Sequence, residues 1–86
     1  MTTKKDMLNY LVKLQKLQRE PRGYYTFNID VFNSKNEFFF TCVIINGEEV
    51  TTVAFHSFLS KSESNKRMEE FIDYLNSLQD ETKKTI

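Results

Sequence analysis

The chain has 86 residues, with 12 basic and 12 acidic side chains and therefore a formal net charge of zero. This length supports one hydrophobic core and excludes a second domain, and the balanced charge excludes strong overall attraction to nucleic acid or an anionic membrane. A single cysteine excludes an internal disulfide, and one cysteine with one histidine is too few for a structural zinc site. We expect neither metal nor cofactor, and the unpaired cysteine favours a cytoplasmic location.

The first predicted element is an amphipathic helix. Its apolar stripe repeats with helical spacing and consists of Met7, Tyr10, Leu11, Leu14 and Leu17. Thr3 and Asp6 resemble a capping pair, and Pro21 disfavours helical geometry at the residue before it. We therefore predict a helix from Lys4 to Arg19, followed by a turn at residues 21–23. The opening residues lack the apolar core of a signal peptide, and no apolar run reaches membrane-spanning length.

Three strands follow the first helix. Residues 24–32 alternate between polar and apolar side chains, which predicts a half-buried strand. Residues 38–45 are almost all apolar and predict a second strand after the turn-forming residues 33–36. Asn46-Gly47 predicts a type I′ hairpin turn, because these residue types accept the two positive φ angles that this turn needs. The third predicted strand covers residues 50–58.

A second amphipathic helix closes the domain. Ser60 and Glu63 form a capping box, and the apolar stripe after it consists of Met68, Phe71, Ile72, Leu75 and Leu78. We predict that the helix ends near Leu78 or Asp80. The ordered part of the chain should run from about residue 3 to about residue 80, and residues 81–86 should fray. The predicted fold is α+β, in the order α-β-β-β-α, with a three-stranded antiparallel meander and both helices packed on one face.

Hairpin pairing sorts the strand residues onto two faces of the sheet. For turns of even length, one face forms the core and carries Phe27, Ile29, Val31, Phe38, Phe40, Cys42, Ile44, Val53 and Phe55. On the first strand the opposite face carries polar residues such as Asn28 and Asp30. Its remaining positions are the candidate interface residues Phe32, Phe39, Thr41, Val43, Ile45, Val50, Thr52, Ala54 and His56.

The central strand is apolar on both sides, which is typical of a strand that is covered on both sides. Either one helix lies on each face, or both helices pack on the core face and leave the second face bare. We favour the second arrangement, and a bare apolar patch of this kind usually marks an interface. The hypothesis is a homodimer, or a subunit that caps a protein partner. If His56 lies in that contact, its protonation at acidic pH weakens association.

No catalytic constellation emerges from the sequence. Cys42 and His56 are the only thiol and imidazole, and strand parity places them on opposite faces. The paired carboxylates at Glu48-Glu49 and Glu69-Glu70 fall on a turn and an outer helix face, where no cleft is expected. The two glycines stand alone, so no glycine-rich phosphate loop exists. We therefore expect a non-enzymatic protein.

Charge is balanced in total but not along the chain. Residues 1–22 carry six basic and two acidic side chains, a net charge of +4. Helical spacing gathers Lys5, Lys16 and Arg19 on the outer side of the first helix, and Glu69, Glu70, Asp73 and Asp80 on the outer side of the second. These sides are either solvated surfaces or contacts for an acidic and a basic partner, respectively.

The element order from Lys4 to Leu78 resembles that of double-stranded RNA-binding domains. In that family a Gly-Pro-x-His loop between the first two strands enters the minor groove, and lysines opening the last helix contact phosphates. Here the loop reads Asn33-Ser34-Lys35-Asn36, without glycine, proline or histidine. The resemblance implies an alternative function, duplex RNA binding through helix one and the start of helix two, with the candidate residues Lys5, Lys16, Arg19, Lys61, Lys66 and Arg67.

The leading interpretation is a cytoplasmic, non-enzymatic interaction module without metal or cofactor. Its predicted partner is a second copy of the chain or another protein, in contact with the second sheet face. Small neutral α+β proteins are common among the accessory proteins of phages and mobile elements, and such a role is compatible with the composition.

Overall fold

The computed structural model describes residues 1–20 and 23–85, with side chains described through residue 78. The elements follow in the predicted order as α1 Lys4–Arg19, β1 Thr26–Asn33, β2 Phe38–Asn46, β3 Glu49–His56 and α2 Lys61–Thr85. The first two residues of the turn predicted after α1, and residue 86 of the predicted frayed tail, lie outside the described residues.

Both helices begin at side-chain caps. The Thr3 hydroxyl accepts a hydrogen bond from the backbone N–H of Asp6 at 3.1 Å, and the Ser60 hydroxyl accepts one from the N–H of Glu63, also at 3.1 Å. These bonds satisfy backbone donors that a helix start otherwise leaves unpaired. The Glu63 carboxylate pairs with Arg67 one turn later at 3.1 Å.

Helix α2 is longer than the sequence pattern predicted. It continues to Thr85, beyond the expected end near Leu78 or Asp80. The apolar stripe ends at Leu78, but residues 79–85 contain neither glycine nor proline. Glu and Lys are good helix formers, so the loss of the apolar stripe did not mark the end of the helix.

The sheet is an antiparallel meander in the order β1-β2-β3. Its register pairs Asn33 with Phe38 and Asn46 with Glu49, which preserves the predicted sorting of faces because both loops between the strands have even length. The second turn differs from the prediction. Its loop residues are Gly47 and Glu48, and Gly47, at φ +63°, is the only described residue with positive φ. One positive φ at the first loop position matches a type II′ turn rather than the predicted type I′ turn.

The hydrophobic core lies between the sheet and both helices. Helix α1 contributes Met7, Leu11 and Leu14, and α2 contributes Met68, Phe71, Leu75 and Leu78. The sheet contributes Phe27, Phe38, Phe40, Cys42, Ile44 and Phe55, which all belong to the predicted core face. Both helices therefore cover the same face of the sheet, as predicted, and the alternative with one helix on each face is wrong.

Val31 departs from the predicted core. It lies on the core side of β1, yet it is exposed, whereas Ile29 and Val53 are partly buried against the core. β1 is an edge strand and Val31 lies near its end. A residue there can face the core side of the sheet without a helix packing over it.

Side chains from the helices satisfy one carbonyl on each edge strand. The Gln18 side-chain amide donates to the carbonyl of Phe27 in β1 at 2.9 Å, and the Arg67 guanidinium donates to the carbonyl of Ala54 in β3 at 2.7 Å. Covering such groups discourages pairing with another strand edge.

The segment before α1 is fastened to the segment before α2. Both the N–H and the hydroxyl of Thr2 donate to the carbonyl of Leu59, each at 2.8 Å. The Thr2 hydroxyl also lies 2.6 Å from the buried hydroxyl of Ser64. This polar cluster connects the N-terminal ends of the two helices and anchors the loop that follows β3.

Candidate interaction face of the sheet

The face of the sheet opposite the helices is called the open face here. Strand alternation and the observed register place Thr26, Asn28, Asp30 and Phe32 of β1, Phe39, Thr41, Val43 and Ile45 of β2, and Val50, Thr52, Ala54 and His56 of β3 on it. The set contains all nine candidate interface residues from the sequence. The structure thus brings them together on one continuous surface.

The open face exposes large apolar side chains. Phe32, Ile45 and Val50 are 48%, 38% and 60% exposed. Phe39 and Val43 are partly buried, although no helix lies over them. Their partial cover comes from neighbouring strands within the sheet. The open face is consequently a mixed surface, with polar residues along β1 and large apolar side chains on β2, that the described part of this chain leaves uncovered.

An aromatic row runs across one end of the open face. Its members are Phe32, Phe39, His56 and Phe58, one from each strand and one from the loop after β3. Consecutive ring centroids lie 4.6, 5.3 and 4.6 Å apart, and all three pairs are stacked. The two pairs that join neighbouring strands, Phe32–Phe39 and Phe39–His56, each stabilise the strand register by about 0.2–1 kcal/mol. The row therefore connects all three strands at one end of the open face.

His56 makes one hydrogen bond through its ring and lies beside a carboxylate. Its Nδ1 accepts a hydrogen bond from the backbone N–H of Phe58 at 3.1 Å, which places the proton of the neutral ring on Nε2. Nε2 lies 3.8 Å from Oε2 of Glu37, a buried oxygen without a hydrogen-bond partner. A general base needs a free nitrogen lone pair, and the Phe58 N–H occupies the one that neutral His56 offers.

The open face carries little charge. Asp30 is the one residue with a formal charge among its 12 positions, and Glu37 adds a second carboxylate beside the aromatic row. Neither lysine nor arginine occurs at these positions, although 28% of the whole chain is charged. Sequence and register together therefore separate the apolar face from the charged outer surfaces of the helices.

Cys42 lies on the side of the sheet opposite His56, as the parity argument predicted. It is fully buried, and burial raises the pKa of its thiol from 9.0 to about 12. A thiol in this environment stays protonated near neutral pH and is a poor nucleophile. The two residues thus do not form a catalytic pair in this structure.

The six candidate nucleic-acid contacts differ in availability. Lys5, Lys16, Arg19, Lys61 and Lys66 are exposed. Arg67 instead uses its guanidinium within the protein, where it pairs with the Glu63 carboxylate and donates to the Ala54 carbonyl. The start of α2 therefore offers two exposed lysines close to an acidic side chain.

The acidic side chains of α2 that the sequence grouped together are also exposed. Glu69, Glu70 and Asp73 face solvent, while the side chain of Asp80 lies outside the described residues. Between α1 and α2, the Tyr10 hydroxyl donates a hydrogen bond to the side-chain carbonyl of Asn65. Burial, with a smaller contribution from Asp6, raises the pKa of Tyr10. This contact joins the two helices.

Three further findings bear on function. Among the described residues, no three histidine, cysteine, aspartate or glutamate side chains converge as a metal site would require. No described helix is both long and apolar enough to cross a membrane. Comparison with protein-family models, curated proteins and solved structures found no match for this chain.

Sequence analysis missed two residues that belong to the candidate site. Phe58 was assigned to the third strand, but the strand ends at His56 and the chain turns so that Phe58 stacks on the histidine. Glu37 was assigned to neither the predicted turn at residues 33–36 nor the strand that begins at residue 38, although it lies just before β2 and two residues from Phe39. The two-residue alternation of a strand, extended back from Phe39, is the signal that could have placed Glu37 beside the open face.

Proposed function

We propose that this protein is a non-enzymatic interaction module that forms a homodimer by stacking the open faces of two copies. The observation that carries the proposal is that β2 has apolar side chains on both faces of the sheet. Both helices cover one of these faces, and Phe39, Val43 and Ile45 remain on the other. Leaving such a surface in water costs free energy that a partner recovers, because burial is worth about 25 cal/mol per Å².

The chemistry of the open face favours a protein over nucleic acid. Phosphate recognition depends on lysine and arginine, and none of the 12 open-face positions carries either. Apart from Lys35 in the loop between β1 and β2, the exposed lysines among the described side chains lie on the helices, on the other side of the sheet. Duplex RNA binding, the alternative suggested by the element order, would therefore leave the open face uncovered.

The size of the open face suits a second copy. Three strands of about eight residues measure about 14 Å by 26 Å, so two stacked faces contribute roughly 750 Å² of projected area. The accessible area is larger because side chains protrude, which brings the interface to about 1,000 Å², near the lower limit for specific complexes. We therefore expect a reversible dimer with a dissociation constant in the micromolar range.

Two identical faces are also compatible in charge. A two-fold axis through the middle of β2 stacks the sheets about 10 Å apart, at an angle of about 30°. The central positions then bring Thr41 and Val43 against their symmetry equivalents. Asp30 lies on an edge strand, where its carboxylate keeps access to water at the rim. A protein of another sequence on this face is the competing occupant.

The test compares the mass of the wild-type protein with that of two valine variants. Light scattering on a sizing column, at roughly 1 and 100 µM, should show a concentration-dependent rise from 10.2 kDa toward twice that mass. Val43→Asp places a charge in the centre of the open face and should remain monomeric. Val12→Asp makes the same change at a 64% exposed position on α1 and should leave the dimer intact.

The dependence of binding on salt concentration distinguishes the homodimer from duplex RNA binding. Association through apolar faces should change little between about 50 and 200 mM salt, whereas duplex RNA binding should weaken by orders of magnitude. A wild-type protein that stays monomeric at the higher protein concentration would refute the homodimer. Equal loss of the dimer in both valine variants would place the contact elsewhere.

A further inference from the structure

We propose that the outer edge of β3 binds an extended, basic peptide segment of another protein, which adds to the sheet as a fourth strand. This site lies beside the open face rather than on it, so it is independent of the homodimer. Two features of the structure support it, unpaired backbone groups along β3 and an apolar cavity between β3 and α2.

The outer edge of β3 carries backbone groups without a partner. The residues that flank the two-residue turn form a hydrogen-bonded pair, so alternation along the ladder turns the N–H and C=O groups of Val50, Thr52 and Ala54 away from β2. The Arg67 guanidinium reaches the Ala54 carbonyl from that outer side, at 2.7 Å. None of the described residues bonds to the outward groups of Val50 or Thr52. An extended backbone supplies a matching donor and acceptor for them.

An apolar cavity lies beside these groups, between β3 and α2. Its volume is about 260 Å³, and the residues that line it include Thr51, Val53, Phe71 and Tyr74. In an added strand, the residue opposite Thr52 points its side chain toward the open face, and its two neighbours point toward the cavity. Apolar side chains at these alternate positions would leave water, while the backbone bonds fix the register of the segment.

The charges around the cavity favour a basic segment. Arg67 is the one cation among the described residues that line it, and its guanidinium already contacts the Glu63 carboxylate and the Ala54 carbonyl. Glu70, which lines the cavity, and Glu49, at the start of β3, are exposed and have no cationic partner among the described residues. Lysine or arginine side chains of the bound segment would contact these carboxylates at the rim and give selectivity.

Two other arrangements fit less well. The edge of β1 has outward groups at Ile29 and Val31, but the cavity beside Val31 is lined in part by Asn33 and the carboxylate of Glu37. A second copy of β3 contains neither lysine nor arginine and begins at Glu49, so it would bring like charge to the rim. An extended segment with apolar and basic residues complements the β3 edge better than either.

The probe is a short synthetic peptide in which threonine and valine alternate between two terminal lysines. Binding is measured by hydrogen exchange at the Thr52 amide, followed by NMR. We expect exchange there to slow about fivefold or more at about 5 mM peptide, the effect of a complex with a millimolar dissociation constant. With the valines in the cavity, the threonine N–H groups face β3. N-methylation of the threonines should therefore abolish the effect, whereas N-methylation of the valines should preserve it.

Two proline variants make a matched change in the protein. Thr52→Pro removes an outward N–H from β3, and Val31→Pro removes one from β1; edge strands accept proline at such positions. Binding of a dye-labelled peptide, followed by fluorescence anisotropy, should be lost in Thr52→Pro and unchanged in Val31→Pro. The two methylated peptides test the same hydrogen bonds in the wild-type protein, whether or not Thr52→Pro folds.

Unchanged exchange at Thr52, or equal slowing by the threonine-methylated peptide, would overturn the proposal. Loss of binding in Val31→Pro alone would also overturn it, because the peptide would then lie on β1. Backbone-to-backbone NMR contacts between the β3 strands of two copies, without peptide, would assign the edge to a second copy instead. Stacked sheets lie about 10 Å apart and give no such contacts, so this result is distinct from the homodimer.

Discussion

Two adjacent isoleucines of β2 provide a direct comparison of the two faces. Ile44 is fully buried against the helices, whereas Ile45 is 38% exposed on the open face. Replacing a buried isoleucine by alanine removes its transfer free energy and leaves a cavity, which costs about 2–5 kcal/mol. Ile44→Ala should therefore lower the free energy of unfolding by about 3 kcal/mol. Ile45→Ala loses only part of its burial and leaves no enclosed cavity, so we expect about 1 kcal/mol.

The assay is urea denaturation of both variants at a protein concentration low enough to keep the chain monomeric. Because the two positions lie in the same central strand, the difference between the variants reports how each side chain is packed on its own face of the sheet. At high protein concentration, where dimers form, the larger effect should belong to the other variant. Ile45→Ala should weaken the dimer directly, whereas Ile44→Ala should weaken it only by lowering the stability of the fold. Equal unfolding costs for the two variants would refute the assignment of the faces.

Three further predictions test other parts of the structure. Cys42 should resist a thiol reagent in the native protein and react after unfolding. Burial raises the pKa of its thiol from 9.0 to about 12, so the folded protein holds this proton more tightly than the unfolded chain does. The free energy of unfolding should therefore be unaffected by Cys42 below about pH 9 and should fall as the pH rises from there toward 12. Thr2→Val should lower the free energy of unfolding by about 1–3 kcal/mol, because it removes the partner of the buried Ser64 hydroxyl, and adding Ser64→Ala should cost less than the sum of the single changes. Gly47→Ala should lower it by about 1 kcal/mol in thermal melts, because φ is +63° there, while Gly47→Asn should be tolerated better. Reactive native Cys42, additive effects of the Thr2 and Ser64 changes, or a neutral Gly47→Ala would each contradict the corresponding reasoning.

Most of the fold was predictable because its elements are marked by strong local patterns. The stripe from Met7 to Leu17 gave α1 with its observed bounds, Lys4–Arg19. Because both loops have an even number of residues, alternation along the strands assigned the strand residues to the correct faces of the sheet. This held even though the residues of the second turn were predicted one position too early. The period of a strand is two residues, so a shift that keeps the loop length even leaves the faces unchanged.

The details that were missed depend on neighbours rather than on local patterns. The extent of α2 beyond Leu78 follows from helix propensity without an apolar stripe, which periodicity does not detect. The exposure of Val31 comes from its place on an edge strand. The stacking of Phe58 on His56, with a backbone N–H on Nδ1, depends on how the loop turns after β3, and the residue types alone carry no signal for it.

The most direct test of the central claim is to detect contacts between two copies across the open face. In a mixture of isotope-labelled and unlabelled protein, NMR experiments that select contacts between protomers should report Phe39, Val43 and Ile45 close to the same residues of the second copy. Contacts that instead involve the exposed apolar residues of α1, Leu8 and Val12, would contradict the account. So would a protein that remains monomeric at about 100 µM with the open face in water.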